Sequence, residues 1–112
     1  MTDKIVVLST ASSAEEAGKI ARRLVEERVA ACVNVLPGLR SFYRWKGNIE
    51  DAAEWLLIIK SSRKHFEALR SALEKLHSYE VPEVLALQVT DGAENYLNWM
   101  DAELATRTGS DL

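Results

Sequence analysis

A strand, helix, strand pattern occurs twice along this 112-residue chain, and it limits the fold more than any other feature. The first copy runs from an apolar strand at Ile5 to Thr10, through a helix, to a strand at Cys32 to Leu36. The second copy runs from Trp55 to Ile59, through another helix, to Val84 to Val89. Two such units in tandem are typical of the split βαβ, or ferredoxin-like, arrangement.

Apolar residues at helical spacing define both crossover segments. Ser13 is expected to cap the first helix, and Glu16 three residues later completes the signature of a capping box. The apolar stripe of the first helix comprises Ala17, Ile20, Ala21, Leu24 and Val25, and that of the second comprises Phe66, Leu69, Leu73 and Leu76. The second helix is expected to end near His77 and Ser78.

A third helix is expected to begin at Asp91 and to carry Leu97, Met100 and Leu104, followed by a polar tail from Thr106. The chain is therefore predicted to be a single α+β domain spanning residues 1–112, with a βαββαβ core and an additional C-terminal helix. Right-handed crossovers would place the first two helices on one face of a four-stranded antiparallel sheet. The other face of that sheet would be left bare.

The second and third strands are predicted to form a long hairpin. Gly47 and Asn48 have the composition of a two-residue hairpin turn. That turn would place Arg44 opposite Asp51 and Leu39 opposite Leu56, which joins a charge pair and an apolar pair. Pro37 and Gly38 interrupt the second strand before the hairpin arm begins.

The predicted arm is too long for the domain that carries it. A compact chain of this length has a diameter of about 34 Å, from a radius of gyration of about 13 Å. A straight strand from Cys32 to Lys46 would reach about 50 Å at about 3.3 Å per residue. By alternation, Leu39, Tyr43 and Trp45 share one side of the arm, and the basic residues Arg40, Arg44 and Lys46 share the other.

An exposed aromatic arm and a bare sheet face both favour a closed oligomer, because each is an aggregation hazard in isolation. Leu39, Tyr43 and Trp45 are therefore predicted to lie at a subunit interface. The alternative is an arm that folds back onto its own sheet at Pro37.

Composition excludes several classes of partner. The chain has 14 basic and 17 acidic residues, a formal charge of -3, whereas proteins that bind nucleic acid carry a concentrated basic face. The N-terminal residues resemble neither a signal peptide nor a membrane-spanning helix, so no membrane partner and a cytoplasmic location are expected. Cys32 is the only cysteine, which rules out an internal disulfide and a thiolate-rich metal site within one chain.

Three segments together resemble the CutA family of divalent-cation-tolerance proteins. They are AACVNVLPGLRSFYRWKGNIEDAAEWLLIIKS from Ala30 to Ser61, HSYEVPEVLAL from His77 to Leu87, and YLNWM from Tyr96 to Met100. The resemblance spans nearly the whole chain from Ile5 onward. It implies a ferredoxin-like homotrimer whose long hairpins clasp neighbouring subunits, with a role linked to copper and other divalent ions.

The segment HSYEVPE contains candidate metal ligands. His77, Glu80 and Glu83 offer nitrogen and oxygen ligands for Cu(II), Zn(II) or another divalent cation, bound weakly and not as a required cofactor. Their spacing matches no defined metal motif, and a histidine at a helix C-terminus explains them better than a tight site. In some CutA members copper ligands lie where this chain has Ser9, Leu76 and His77, so only His77 is kept.

Cys32 and His65 are not expected to bind a ligand. Cys32 begins a strand and is expected to be a small buried hydrophobe, because no neighbouring basic residue in the sequence would activate its thiol. His65 precedes the stripe of the second helix and is expected to be solvated.

The resemblance also implies a ligand cleft between subunits, to which Lys60, Tyr79, Tyr96 and Trp99 would contribute, together with Glu83. Packing of a helix on a sheet is the favoured explanation for Tyr96 and Trp99, because they are three positions apart. No nucleophile with an adjacent base and no phosphate-binding glycine loop is present, so no enzyme is expected. Two alternatives stay open, namely a regulator like the PII signalling trimers with small-molecule sites in intersubunit clefts, and a scaffold without a ligand.

Overall fold

The computed structural model describes residues 2–105, which form four strands and three α-helices. The elements are β1 (Lys4–Ala11), α1 (Ala14–Glu26), β2 (Cys32–Trp45), β3 (Asn48–Ser62), α2 (Phe66–Leu76), β4 (Leu85–Gln88) and α3 (Glu94–Glu103), with a 3-10 turn at Arg63–His65 before α2. The strands form one antiparallel sheet in the order β2-β3-β1-β4. The predicted α+β class is confirmed.

Several predicted boundaries need correction. The last strand is shorter than expected, and the third helix begins at Glu94 instead of Asp91. The polar tail from Thr106 lies outside the described residues. None of the helices between residues 2 and 105 is long and apolar enough to span a bilayer.

The start of α1 confirms half of the predicted capping box. The Ser13 hydroxyl accepts a hydrogen bond from the Glu16 N–H at 3.0 Å, as an N-cap residue does. The reciprocal half is wrong, because the Glu16 carboxylate accepts from Ser12 and Ser78 instead of the Ser13 backbone.

Helices α1 and α2 cover one face of the sheet, which we call the helix-covered face. Its core contains Ile5, Val7, Leu57 and Ile59 from the sheet, Ile20 and Leu24 from α1, and Leu69 and Leu73 from α2. Each of these side chains is almost completely buried. Burial of one such side chain stabilises the fold by about 1.5–3 kcal/mol, so this layer is the main source of stability in the chain.

The opposite face, which we call the open face, is apolar but largely uncovered within the described chain. Val6, Leu8, Leu56 and Ile58 are half-buried, and Leu36, Leu85 and Leu87 are exposed. Helix α3 packs at one end of the sheet, where Met100 and Leu104 contact Ala31 and Asp101 pairs with Lys4 at 2.8 Å. The open face therefore carries a group of exposed and half-buried apolar side chains, not the single scattered apolar residues that are usual on a protein surface.

The predicted hairpin register is wrong by two positions. The turn residues are Lys46 and Gly47, whose φ angles are 50° and 84°. Positive φ at both central positions is what a type I′ turn requires. Leu39 therefore pairs with Glu54, and Arg44 pairs with Ile49. A shift of two positions keeps every side chain on its predicted face. Asp51 still meets an arginine, but the partner is Arg40, at 2.8 Å.

A β-bulge at Pro37 and Gly38 lets β2 continue without folding back. Leu36 pairs with Leu56 and Leu39 with Glu54, so β2 has one extra residue in this interval. We call residues 39–54 the arm. Beyond Ala11, β1 no longer accompanies β3, and the arm continues as two strands. The alternative of an arm reversed at the proline is therefore wrong, and the longest dimension of the molecule is 45 Å.

Two buried serines provide a test of the core. Among the described residues the Ser9 hydroxyl has no hydrogen-bond partner, whereas the equally buried Ser61 hydroxyl donates to the Val29 carbonyl at 2.7 Å. Ser9→Ala is expected to raise the free energy of unfolding by about 1 kcal/mol, because an unpaired buried hydroxyl is costly. Ser61→Ala is expected to lower it by about 1 kcal/mol. Equilibrium denaturation of both variants measures the two signs, and a loss of stability in Ser9→Ala would contradict the expectation.

Candidate functional site

A pocket lies between the arm and the segment Ser78 to Val81, which we call the pocket loop. Its volume is about 320 Å³. The lining residues are Tyr43, Trp45, Ser78, Tyr79, Glu80 and Val81. The size is within the range of small-molecule sites in proteins, and polar groups accompany the rings. This pocket is the candidate functional site.

The bulge in β2 decides which side of the sheet the two arm rings face. Before the bulge, Val33 and Val35 pair with Ile59 and Leu57 of the helix-covered face. After it, Tyr43 pairs with Glu50, which lies on the same side of β3 as the open face. The extra residue thus moves Tyr43 and Trp45 to the side where the pocket loop runs.

Both arm rings line the same pocket as the pocket loop within a single chain. Tyr43 is 43% exposed and Trp45 is 38% exposed. Sequence reasoning missed this neighbour because the contact joins distant positions and has no local signal. Leu39, the third residue predicted for a subunit interface, is half-buried. Its intersubunit role and that of the two rings stay predictions.

His77 fixes the start of the pocket loop with both nitrogens of its ring. Nε2 is 2.6 Å from the Thr10 carbonyl oxygen, and Nδ1 is 3.1 Å from the Tyr79 backbone nitrogen. These partners assign the proton to Nε2, which donates to Thr10, while Nδ1 accepts from the Tyr79 N–H. The side chain is fully buried. Neither nitrogen is free for a metal ion in this arrangement.

Glu16 of α1 fixes the next residue of the loop. Its carboxylate accepts from the Ser78 N–H at 2.7 Å and from the Ser12 hydroxyl at 3.1 Å. Burial by itself would raise the pKa of the Glu16 carboxyl, but the hydrogen bonds from Ser78 and Ser12 outweigh burial and hold this pKa below its usual value. The ionised carboxylate is therefore the form that holds the loop.

Tyr79 joins the loop to the arm. Its hydroxyl donates to the Glu54 carboxylate at 2.6 Å, and Glu54 is only 5% exposed. Burial, followed by the hydrogen bond to Glu54, raises the pKa of the Tyr79 phenol far above its usual value. The phenol ring also packs on the His77 ring at 4.6 Å between centroids. Tyr79 therefore stays a neutral hydrogen-bond donor, and its ring is held as a wall of the pocket.

The predicted metal ligands are not brought together by the fold. His77 is buried and engaged, Glu80 lines the pocket, and Glu83 is exposed. Across residues 2–105, no three His, Cys, Asp or Glu side chains are grouped closely enough to hold a metal ion.

The predicted cleft residues fall into separate groups within one chain. Lys60 Nζ contacts the Asn34 side chain and lies 3.9 Å from Cys32 Sγ. Tyr96 and Trp99 pack on each other at 5.4 Å. Tyr79 is hydrogen-bonded to Glu54. Glu54 and Lys60 are six positions apart on β3, a separation of about 20 Å along the strand. A site combining all four would need a second subunit.

Two expectations about single residues are revised by the structure. His65 is buried, not solvated, because Nδ1 is 2.6 Å from the Ser62 hydroxyl and Nε2 is 2.7 Å from the Ala105 carbonyl. Cys32 is half-buried on β2, and its cross-strand partner is Lys60. Only pairing between strands, which the sequence does not state, places a basic group near this thiol.

Comparison with known proteins identifies close relatives. A family profile described as CutA1 divalent ion tolerance protein matches residues 5–103. The divalent-cation tolerance protein CutA of Thermus thermophilus is 47% identical over 95 residues, covering 85% of this chain and 92% of that protein. The protein of the same name from Pectobacterium atrosepticum is 42% identical over 104 residues, covering 93% and 94%.

Solved structures agree with these relatives. The Thermus thermophilus divalent cation tolerance protein superposes with a TM-score of 0.88 at 44% identity, covering 91% of this chain and 99% of that one. CutA from Xylella fastidiosa superposes with a TM-score of 0.90 at 42% identity, covering 93% and 100%.

The Glu16 carboxylate holds the pocket loop, so the stability of the protein is expected to depend on pH. A carboxyl whose pKa is lower in the folded state adds stability that is fully present above the unfolded pKa, about 4.3 for Glu. That stability is lost as the pH falls through the folded pKa. Glu16→Gln is therefore expected to lower the free energy of unfolding by on the order of 1 kcal/mol at neutral pH and to flatten its decline below pH of about 4.3.

Urea denaturation at a series of pH values measures this effect. Glu15→Gln, on the exposed side of the same helical turn, is the matched control. If the free energy of unfolding of Glu16→Gln falls as steeply with acid as that of the parent protein, Glu16 is not the source of this pH dependence.

Proposed function

Because the chain belongs to the CutA1 family of divalent ion tolerance proteins, we propose that it acts in divalent-cation tolerance as a non-catalytic homotrimer that binds the cation weakly. The observation that supports weak binding of the cation is the hydrogen bonding of the His77 ring. Both of its ring nitrogens are bonded to backbone groups, so ligation by His77 requires the loss of two hydrogen bonds.

The proposed cation contacts are the carboxylates of Glu80 and Glu83. Both side chains are exposed, and neither has an ion pair or hydrogen bond to another residue between 2 and 105. Oxygen ligands from one or two carboxylates bind a divalent cation loosely, since the cation keeps several of its waters. His77 would join such a site only after the pocket loop leaves its position. Cu(II) and Zn(II) are the ions to test, because Cu(II) binds a given set of ligands most tightly among the first-row divalent ions and Zn(II) accepts carboxylate oxygens as ligands.

The same histidine supports a role without catalysis. Ser78 is a hydroxyl at the pocket wall and follows His77 directly in the chain. A serine nucleophile needs a base with a free nitrogen to take its proton. His77 has none, because Nδ1 accepts from Tyr79 and Nε2 donates to Thr10.

The proposed assembly is a homotrimer of ferredoxin-like subunits. The βαββαβ order and the strand order β2-β3-β1-β4 support the ferredoxin-like class. The apolar open face and the projecting arm support association, because both leave large apolar side chains in water. In the trimer we place the open face at the subunit contact, with Leu39, Tyr43 and Trp45 near its rim.

A cytoplasmic location stays a prediction. The relatives include a protein named chloroplastic in Arabidopsis thaliana and a structure named periplasmic from Archaeoglobus fulgidus.

A second candidate function is the binding of a small molecule, as in the PII-like alternative. The pocket of about 320 Å³ between the arm and the pocket loop favours it, because the pocket is lined by three rings and one carboxylate. Placed at the rim of the subunit contact, this pocket would open into a cleft between copies.

Calorimetric titration of the assembled protein with Cu(II) and Zn(II) tests the metal proposal. Weak binding is expected in the parent protein, and Glu80→Gln with Glu83→Gln is expected to reduce the heat to that of the buffer. His77→Ala is expected to keep most of the heat, since the imidazole is not a ligand while the loop is in place. Tight stoichiometric binding that His77→Ala abolishes would contradict the proposal.

Sedimentation of two charge variants tests the assembly. Leu87 is 49% exposed on the open face and Val25 is 42% exposed on α1, so the pair is matched in exposure and differs in location. Leu87→Lys is expected to dissociate the trimer, because it places a charge in an apolar contact. Val25→Lys is expected to stay trimeric. A parent protein that sediments as a folded single subunit at micromolar concentration would refute the trimer.

A further inference from the structure

We propose that the pocket between the arm and the pocket loop binds a compact organic ammonium ion. The proposal rests on the small-molecule role given to this pocket above and assigns its ligand a chemical class. It shares Glu80 with the metal-binding proposal but is separate from it, because the rings of the pocket take no part in that proposal.

Three aromatic rings surround the pocket. Tyr43 and Trp45 are two positions apart on β2 and face the same side, so they are separated by about 7 Å along the strand. Tyr79 adds a third ring from the pocket loop. A cation is attracted to ring faces when it lies within about 6 Å of their centroids. An ammonium ion with methyl or methylene groups is therefore large enough to contact more than one of these rings.

Carboxylates outnumber cations around the rings. Glu80 lines the pocket, Glu50 is the cross-strand partner of Tyr43 on the same side of the arm, and Glu54 accepts from Tyr79. Within residues 2–105, neither Glu80 nor Glu50 has an ion pair. Among the cation–π contacts of the described residues, the one at these rings is from Lys46, whose Nζ lies 5.9 Å from the Trp45 centroid. The balance of charge favours a positive ligand.

The apolar walls favour an organic cation over a metal ion. Ring faces offer no lone pairs that could replace the water of a small divalent ion, which holds its hydration shell strongly. An alkylammonium ion is weakly hydrated and presents carbon atoms, so it gains from contact with rings and from the nearby carboxylate together.

The wall formed by the pocket loop is held in place before any ligand arrives. Thr10 accepts from His77, Glu16 accepts from Ser78, and Glu54 accepts from Tyr79, so residues of β1, α1 and β3 each fix one position of the loop or its entry. A preformed wall reduces the entropy lost on binding. Glu16 and Glu54 are thus positioning residues for the pocket.

Titration of the full chain with tetramethylammonium, followed by NMR chemical shifts, tests the proposal. Saturable shifts are expected at the pocket loop and at Trp45. The uncharged control is 2,2-dimethylpropanol, which has a similar shape and is expected to bind at least about fivefold more weakly, since the cation–π term is absent. Equal affinity for the two probes would overturn the ammonium assignment and leave the small-molecule role of the pocket standing. Failure of both probes to saturate would overturn both.

Variants identify the residues that carry the binding. Trp45→Leu and Glu80→Gln are each expected to weaken tetramethylammonium binding by at least about threefold. Phe42→Leu is the control, because Phe42 is an exposed ring on the opposite side of the same arm. Should Trp45→Leu alter assembly in sedimentation, Glu80→Gln decides the result by itself. Unchanged affinity in Glu80→Gln, or equal losses in Phe42→Leu and the pocket variants, would refute the site.

Discussion

The single extra residue at Pro37 and Gly38 is the constraint on which the site depends. Strand side chains alternate, so one inserted residue transfers every later side chain of β2 to the other face of the sheet. Without it, Tyr43 and Trp45 would lie on the side of Val33 and Val35, toward the helices. With it, they face the pocket loop, and the basic side of the arm faces away. The bulge also lets β2 and β3 continue past the end of β1, which produces the arm.

A short chain of hydrogen bonds then joins the helical layer to the arm. His77, between α2 and the pocket loop, donates a hydrogen bond to β1, and Ser78 and Tyr79 of the loop donate to carboxylates of α1 and β3. Two of the three acceptors are carboxylates, and hydrogen bonds to charged groups contribute more than neutral ones. Loop position is therefore coupled to the ionisation of Glu16. The hydrogen bonds of His77 occupy both of its ring nitrogens, so His77 has a structural role and could bind a metal ion only after those bonds break.

The two faces of the sheet have unequal coverage, and this inequality connects fold with function. Helices α1 and α2 bury the centre of the helix-covered face, whereas the open face keeps half-buried and exposed leucines. A small domain gains most of its stability from one such buried layer, so the chain can fold with the other face uncovered. An uncovered apolar face is nevertheless a surface for association. The proposed trimer and the proposed pocket both use the open side, and they meet at Tyr43 and Trp45 on the rim of the subunit contact.

The sequence by itself determined the α+β class, the order of the elements, the Ser13 cap, the arm and its alternating sides, and the membership of a tolerance family, because periodicity, caps and motifs are local signals. The prediction of the hairpin turn at Gly47 and Asn48 is wrong, because the composition of a turn does not determine which residues take positive φ. The tertiary structure alone decided that His65 is buried between Ser62 and Ala105, that Lys60 lies beside Cys32, and that the pocket loop lines one pocket with Tyr43 and Trp45. Each of these contacts depends on how separate elements pack or pair, and strand pairing is set by the sum of many weak interactions along the whole sheet.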